Sequence, residues 1–151
     1  MTEGLRTVLL AAGVLTALFA WHAVRVASIA TSSPERLVGE LRLAQLGALL
    51  LALSSGAYVG IAATHEASLG VGLDVALVVG FFLVAAWTML QDPRVALTTL
   101  ALAFAAQALF AVAHRPGLLP AAIVPTWYTI GCAVYDVVIG TLCYLPMLKR
   151  P

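Results

Sequence analysis

Charge in this chain falls between long apolar runs or near their ends, Asp136 apart. Five runs stand out, at about residues 7–27, 41–63, 73–90, 94–113 and 121–148. Each reaches the roughly 17 residues that an apolar helix needs to cross a bilayer. A soluble domain devotes about 25% of its residues to charge, whereas Asp, Glu, Lys and Arg make up 10% here. Such a chain cannot cover its own surface in water. The sequence predicts an all-α integral membrane protein, a bundle of five transmembrane helices with short loops, as a single domain over residues 1–151. A net charge of +1 leaves no basic field for nucleic acid.

The connections carry their own signals. The run at residues 8–24 is longer than the apolar region of a signal peptide, and the tail before it, MTEGLR, is barely basic, so it is read as a span. Ser33 before Pro34 is the pattern of an N-cap followed by proline at the first helical position. The second helix is therefore expected to begin at Pro34 and to enter lipid near Leu41. Asp92 and Pro93 repeat the pattern before the fourth segment. Pro125 is tolerated in the first turns of the last helix, and Pro146 closes or kinks it. Gly13, Ala17 and Ala20 in the first segment, and Ala52, Gly56 and Gly60 in the second, form small-residue faces suited to close helix contact, within the chain or with other chains.

Lys and Arg set the orientation of a membrane protein through its short loops. With five spans, Arg6 and Arg115 fall on the amino-terminal side, and Arg25, Arg36, Arg42, Arg94, Lys149 and Arg150 on the other. This bias predicts the amino terminus outside and the carboxyl terminus cytoplasmic; the membrane expected for such a chain is the plasma (inner) membrane.

One carboxylate lies deep inside an apolar segment, Asp136. At three- and four-residue steps around it are Pro125, Thr129, Cys132, Gly140 and Cys143, which share one helical face. A charged side chain near the bilayer centre costs about 2.5–3.5 kcal/mol on insertion scales. The acid is therefore expected to face the bundle interior, either holding helices together by hydrogen bonds or serving as a proton relay or ligand anchor. Tyr128, Tyr135 and Tyr144 are on the same helix and are possible donors. His22 falls at a similar depth on the first helix; it is expected either to pair with Asp136 or to sit with Trp21 in the interfacial aromatic belt. Gln45 and Gln107 are the remaining polar side chains that a pocket inside the bundle would recruit, so its candidate residues are Asp136, Tyr135, Cys132, His22, Gln45 and Gln107.

Cys132 and Cys143 are eleven residues apart on one helix, about 16 Å of rise, and cannot pair with each other. Trp87 and Trp127 fit an aromatic belt. His65, Glu66 and His114 are weak metal candidates on the predicted outer face, but they lie on separate loops and lack the spacing of a zinc or copper motif. The same two histidines are the pair at one level that a bis-histidine haem would need, and they fall beyond the helix ends, where haem would be poorly sheltered. No cofactor is predicted. Phosphate-binding glycine loops, nucleophile elbows and paired catalytic carboxylates are missing from the sequence.

The size and helix count resemble the translocator-protein family of tryptophan-rich sensory proteins, but Trp21, Trp87 and Trp127 match no motif of that family, and no family is assigned. The sequence favours a non-enzyme. Its short loops and small-residue faces suggest an accessory or structural subunit, acting through helix contacts with other membrane subunits or its own copies. The alternative is a small-molecule binding or transport protein with an intrabundle pocket around Asp136. A second alternative is a membrane enzyme acting on a lipid or isoprenoid, with Asp136 as acid or base.

Overall fold

A computed structural model describes residues 3–62, 71–113 and 126–148. They form five helices: α1 (Glu3–Ser28), α2 (Pro34–Ala62), α3 (Val71–Thr88), α4 (Pro93–Ala113) and α5 (Thr126–Leu148). There is no strand among the described residues. Helices α1, α2, α4 and α5 are long and apolar enough to cross a membrane, while the apolar part of α3, Asp74–Thr88, is shorter.

The helix starts follow the local chemistry. Ser33 precedes α2; its hydroxyl accepts from the amide of Glu35 at 3.3 Å and its carbonyl from that of Arg36 at 3.1 Å. Pro34 opens the helix without wasting a donor. Pro93 opens α4 in the same way, with the amide of Ala96 bonded to the carbonyl of Asp92 at 2.9 Å. Pro146 does not stop α5, which continues to Leu148. The predicted place of Pro125 in the first turns of α5 lies outside the described residues.

Helix α2 touches all four others, and the most extensive contact is between α4 and α5. Two glycines make these contacts close. A Cβ on Gly140 of α5 would stand 3.1 Å from Cβ of Phe104 and 3.3 Å from the carbonyl oxygen of Ala101, both on α4. One on Gly47 of α2 would stand 3.1 Å from Leu100 and 3.3 Å from the Cys143 sulfur. The apolar core is built here, from Leu43, Leu51, Leu97, Leu100, Phe104 and Ile139.

Of the small-residue faces of α1 and α2, Ala52 packs against the apolar core, but the glycines make no close contact. Nothing lies within 4 Å of a Cβ built on Gly13, Gly56 or Gly60. Helix α1 instead packs through Phe19, Ala23, Val26 and Ala27, all buried. Small residues permit close approach but do not supply it; the face that also carries Phe19 removes more apolar area on docking.

At one end of the bundle the chain buries an ionic knot that the sequence reading did not anticipate. Arg36, 4% exposed, and Glu40, 1% exposed, pair at 2.9 Å one turn apart on α2. Arg36 also donates to the carbonyl of Ile29 at 2.8 Å, just past α1, and to that of Pro146 at 2.6 Å, in the last turn of α5. Arg94 on α4 reaches the other Glu40 oxygen at 3.4 Å. Carbonyls at helix C-termini have no partner within the helix, and the negative end of the helix dipole favours a cation there. One guanidinium thus caps two helices and neutralises Glu40.

Candidate functional site

The opposite half of the bundle, where α2 and α4 end and α3 and α5 begin, contains a small, mostly apolar cavity with several polar side chains in its wall. It is lined by Ser54 and Tyr58 of α2, Gln107 of α4, and Thr129, Cys132 and Asp136 of α5, with Val78, Phe81 and Phe110 as apolar walls. Its volume is about 20 Å³, which accommodates a single water molecule.

The α5 stripe read from the sequence is the wall of this cavity. Thr129, Cys132 and Asp136 face it; Gly140 and Cys143 continue the same face into the apolar core. Asp136 is fully buried, and neither carboxylate oxygen has a hydrogen-bond partner. No basic side chain is among the described residues that line the cavity. An isolated ionised carboxylate in such surroundings is very unfavourable, so this group carries a proton or takes a cation.

The other polar side chains of the cavity find partners close by. Gln107 Nε2 donates to the Ser54 hydroxyl at 3.2 Å, and that hydroxyl donates to the carbonyl of Leu51 at 3.0 Å. Tyr58 donates to Asp74 at 3.1 Å, joining the end of α2 to the start of α3. Its ring tilts against Phe110 with centroids 6.1 Å apart. Tyr128 stacks edge-on with Trp127, ring centroids 5.8 Å apart. The polar groups thus run from Asp74 and Tyr58 at the bundle end, through Gln107 and Ser54, to Asp136 at mid-length of α5. Asp136 is the described lining residue whose buried polar side-chain atoms have no hydrogen-bond partner.

Of the six candidate pocket residues, the structure brings together Asp136, Cys132 and Gln107. Tyr135 is partly buried against the apolar core and does not line the cavity. Gln45 is exposed on the outward face of α2. His22 does not pair with Asp136. Its charged neighbours are Arg25 and Arg42, its Nε2 is buried without a partner, and Arg25 lies 5.7 Å over the ring of Trp21. The cavity is enclosed by α2, α3, α4 and α5, and α1 packs outside it against α2 and α5; similar depth did not bring the two side chains onto facing surfaces. Ser54 and Tyr58 were legible only as scattered polarity, although their four-residue spacing puts them on one face. His65, Glu66 and His114 lie outside the described residues. Among the described residues no group of three or more His, Cys, Asp or Glu side chains is placed to hold a metal ion.

No protein-family model, no characterised protein and no solved structure matches this chain.

Proposed function

We propose that this protein binds or transports a small solute at the pocket around Asp136, as an integral protein of the plasma membrane. All five helices cross the bilayer in this reading. The 18 residues of α3 rise about 27 Å, close to the roughly 30 Å of the hydrocarbon layer. The amino terminus is outside and the carboxyl terminus cytoplasmic, following the six cationic side chains of the second set of loops against two in the first.

The observation that carries the reading is the unpartnered, fully buried carboxylate of Asp136 beside a cavity. An acid kept only to hold helices together would be expected to hydrogen-bond a neighbouring helix, as buried polar groups generally do. Gln107 and Ser54 fit that structural description, and Asp136 does not. The test is Asp136→Asn in protein reconstituted into vesicles. The reading expects binding or transport to be lost while the variant keeps its helix content and melting temperature. An Asn variant that binds and transports like the parent contradicts it.

The accessory-subunit reading is second. It is favoured by Gly13, Gly56 and Gly60, where an added Cβ would meet no described residue within 4 Å. Native mass spectrometry of the gently extracted protein tests it: stoichiometric other polypeptides support it, and a single bare chain contradicts it.

A further inference from the structure

We propose that the occupant of the Asp136 pocket is one small monovalent cation, a hydronium or alkali ion, and that it enters only from the bundle end where α5 begins. This deepens the pocket reading and rests on it.

The cavity's size and chemistry limit what it accepts. About 20 Å³ holds one water-sized particle, and the carboxylate of Asp136 is the site's uncompensated group. An anion has no basic side chain to meet among the described lining residues. A larger organic solute does not fit. A cation of water size matches both the volume and the charge, and it satisfies oxygens that nothing else in the fold satisfies.

The two directions out of the pocket differ. Toward the start of α5, each turn offers oxygen: the Gln107–Ser54 pair, Thr129, then the Tyr58–Asp74 pair at the bundle end. Toward the other end, Leu51, Leu100, Phe104, Ile139 and Cys143 are buried in the apolar core. Beyond that core the Arg36–Glu40–Arg94 knot ties α2 to α4 and to the ends of α1 and α5. A desolvated cation crossing the apolar core would lose all coordination, and one approaching through the knot would meet two guanidinium groups.

The chain carries its own probes. Cys132 lines the cavity one turn before Asp136, and Cys143 is buried two turns after it, within the apolar core. Ag⁺ is a small monovalent cation that reacts with thiols: the S–H bond breaks, an S–Ag bond forms, the proton leaves to water and no electron is transferred. The experiment adds Ag⁺ to one face of vesicles containing the full chain, with orientation read from a tag after Pro151. Thiols left free are then alkylated after denaturation and quantified by mass spectrometry.

Silver is expected to reach Cys132 at least about tenfold faster from the face where α5 begins, and to leave Cys143 unmodified from either face. Asp136→Asn is expected to slow modification of Cys132 by about tenfold, because the amide cannot exchange a proton for the incoming cation as the carboxyl group can, and Asp136→Glu to restore it. Competition by Na⁺ at fixed pH identifies an alkali site; competition by acid alone identifies a hydronium site. Equal rates at Cys132 from both faces, or equal modification of Cys143, overturn one-sided entry while leaving the pocket reading to its own test. A sided rate that is the same in the parent and in Asp136→Asn overturns the cation assignment and counts against the pocket reading as well.

Discussion

Arg36 of α2 donates to the carbonyl of Pro146 of α5 across 2.6 Å, 110 residues away in the chain. The pair joins the start of one helix to the end of another, and it works because Pro146 lies in the last turn of α5, where carbonyls lack helical partners. Arg36 is a span-end residue by sequence, yet it is buried in the assembled bundle. The end of the molecule that it closes is the end away from Asp136.

Loss of this guanidinium should therefore destabilise the whole bundle. Arg36→Met leaves Glu40 buried with only the longer contact to Arg94 and frees two helix-end carbonyls. Breaking a buried pair in this way typically costs about 3–5 kcal/mol. Arg36→Lys should rescue little, since a single ammonium cannot reproduce the planar fork that holds Glu40, Ile29 and Pro146 together. Thermal unfolding in detergent, followed by circular dichroism, measures both variants; a parental melting temperature for Arg36→Met would refute the role given to the knot.

Gly140 should be intolerant of a branched side chain. A Cβ there meets the backbone oxygen of Ala101 at 3.3 Å as well as Cβ of Phe104 at 3.1 Å, so α4 and α5 must move apart. Gly140→Val is expected to cost about 1–3 kcal/mol, the range for overpacking a core. Gly13→Val is the control, because its Cβ meets nothing within 4 Å. Comparable losses from the two substitutions, again by thermal unfolding, would count against this close crossing.

Gln107 and Ser54 should behave as a coupled structural pair. Their 3.2 Å bond links α4 to α2 beside the cavity. Interhelical hydrogen bonds in membranes average about 0.6 kcal/mol. A double-mutant cycle of Gln107→Ala and Ser54→Ala should return a coupling energy of that order. A coupling of zero would show that the two residues do not share a bond in the membrane.

The α5 face was legible because a single deep carboxylate fixes which side of a helix is inward, and Thr129, Cys132, Gly140 and Cys143 then follow from helical spacing. The starts of α2 and α4 were legible from Ser33–Pro34 and Asp92–Pro93 for equally local reasons. What failed depended on rotation of one helix against another. Depth along α1 says nothing about which way His22 points, and Gln45 lies on the outward face of α2 because Leu43, Ala44, Gly47 and Ala48 claim the inward one. The Arg36–Glu40 spacing looked like an ordinary solvated first turn. Only the return of α5 to Arg36 shows that it is buried, and that is a tertiary fact.

Substitution by size and by charge separates the two roles open to the deep acid. Asp136→Leu keeps a similar volume and removes the polarity, and an unpartnered buried carboxylate leaves no hydrogen bond behind when replaced. The fold should therefore tolerate it, with a melting temperature equal to or above that of the parent, while binding or transport is lost. A bundle that unfolds on this substitution would mean that Asp136 has structural partners after all.

The most direct test of the site is infrared difference spectroscopy of the reconstituted protein, recorded between low and high Na⁺ at fixed pH and then between two pH values. A carboxyl band is expected to change in the parent and to be missing in Asp136→Asn, because this carboxyl group exchanges a proton or a cation with the surrounding water. Difference spectra that are identical in the parent and in Asp136→Asn under both conditions would contradict that exchange.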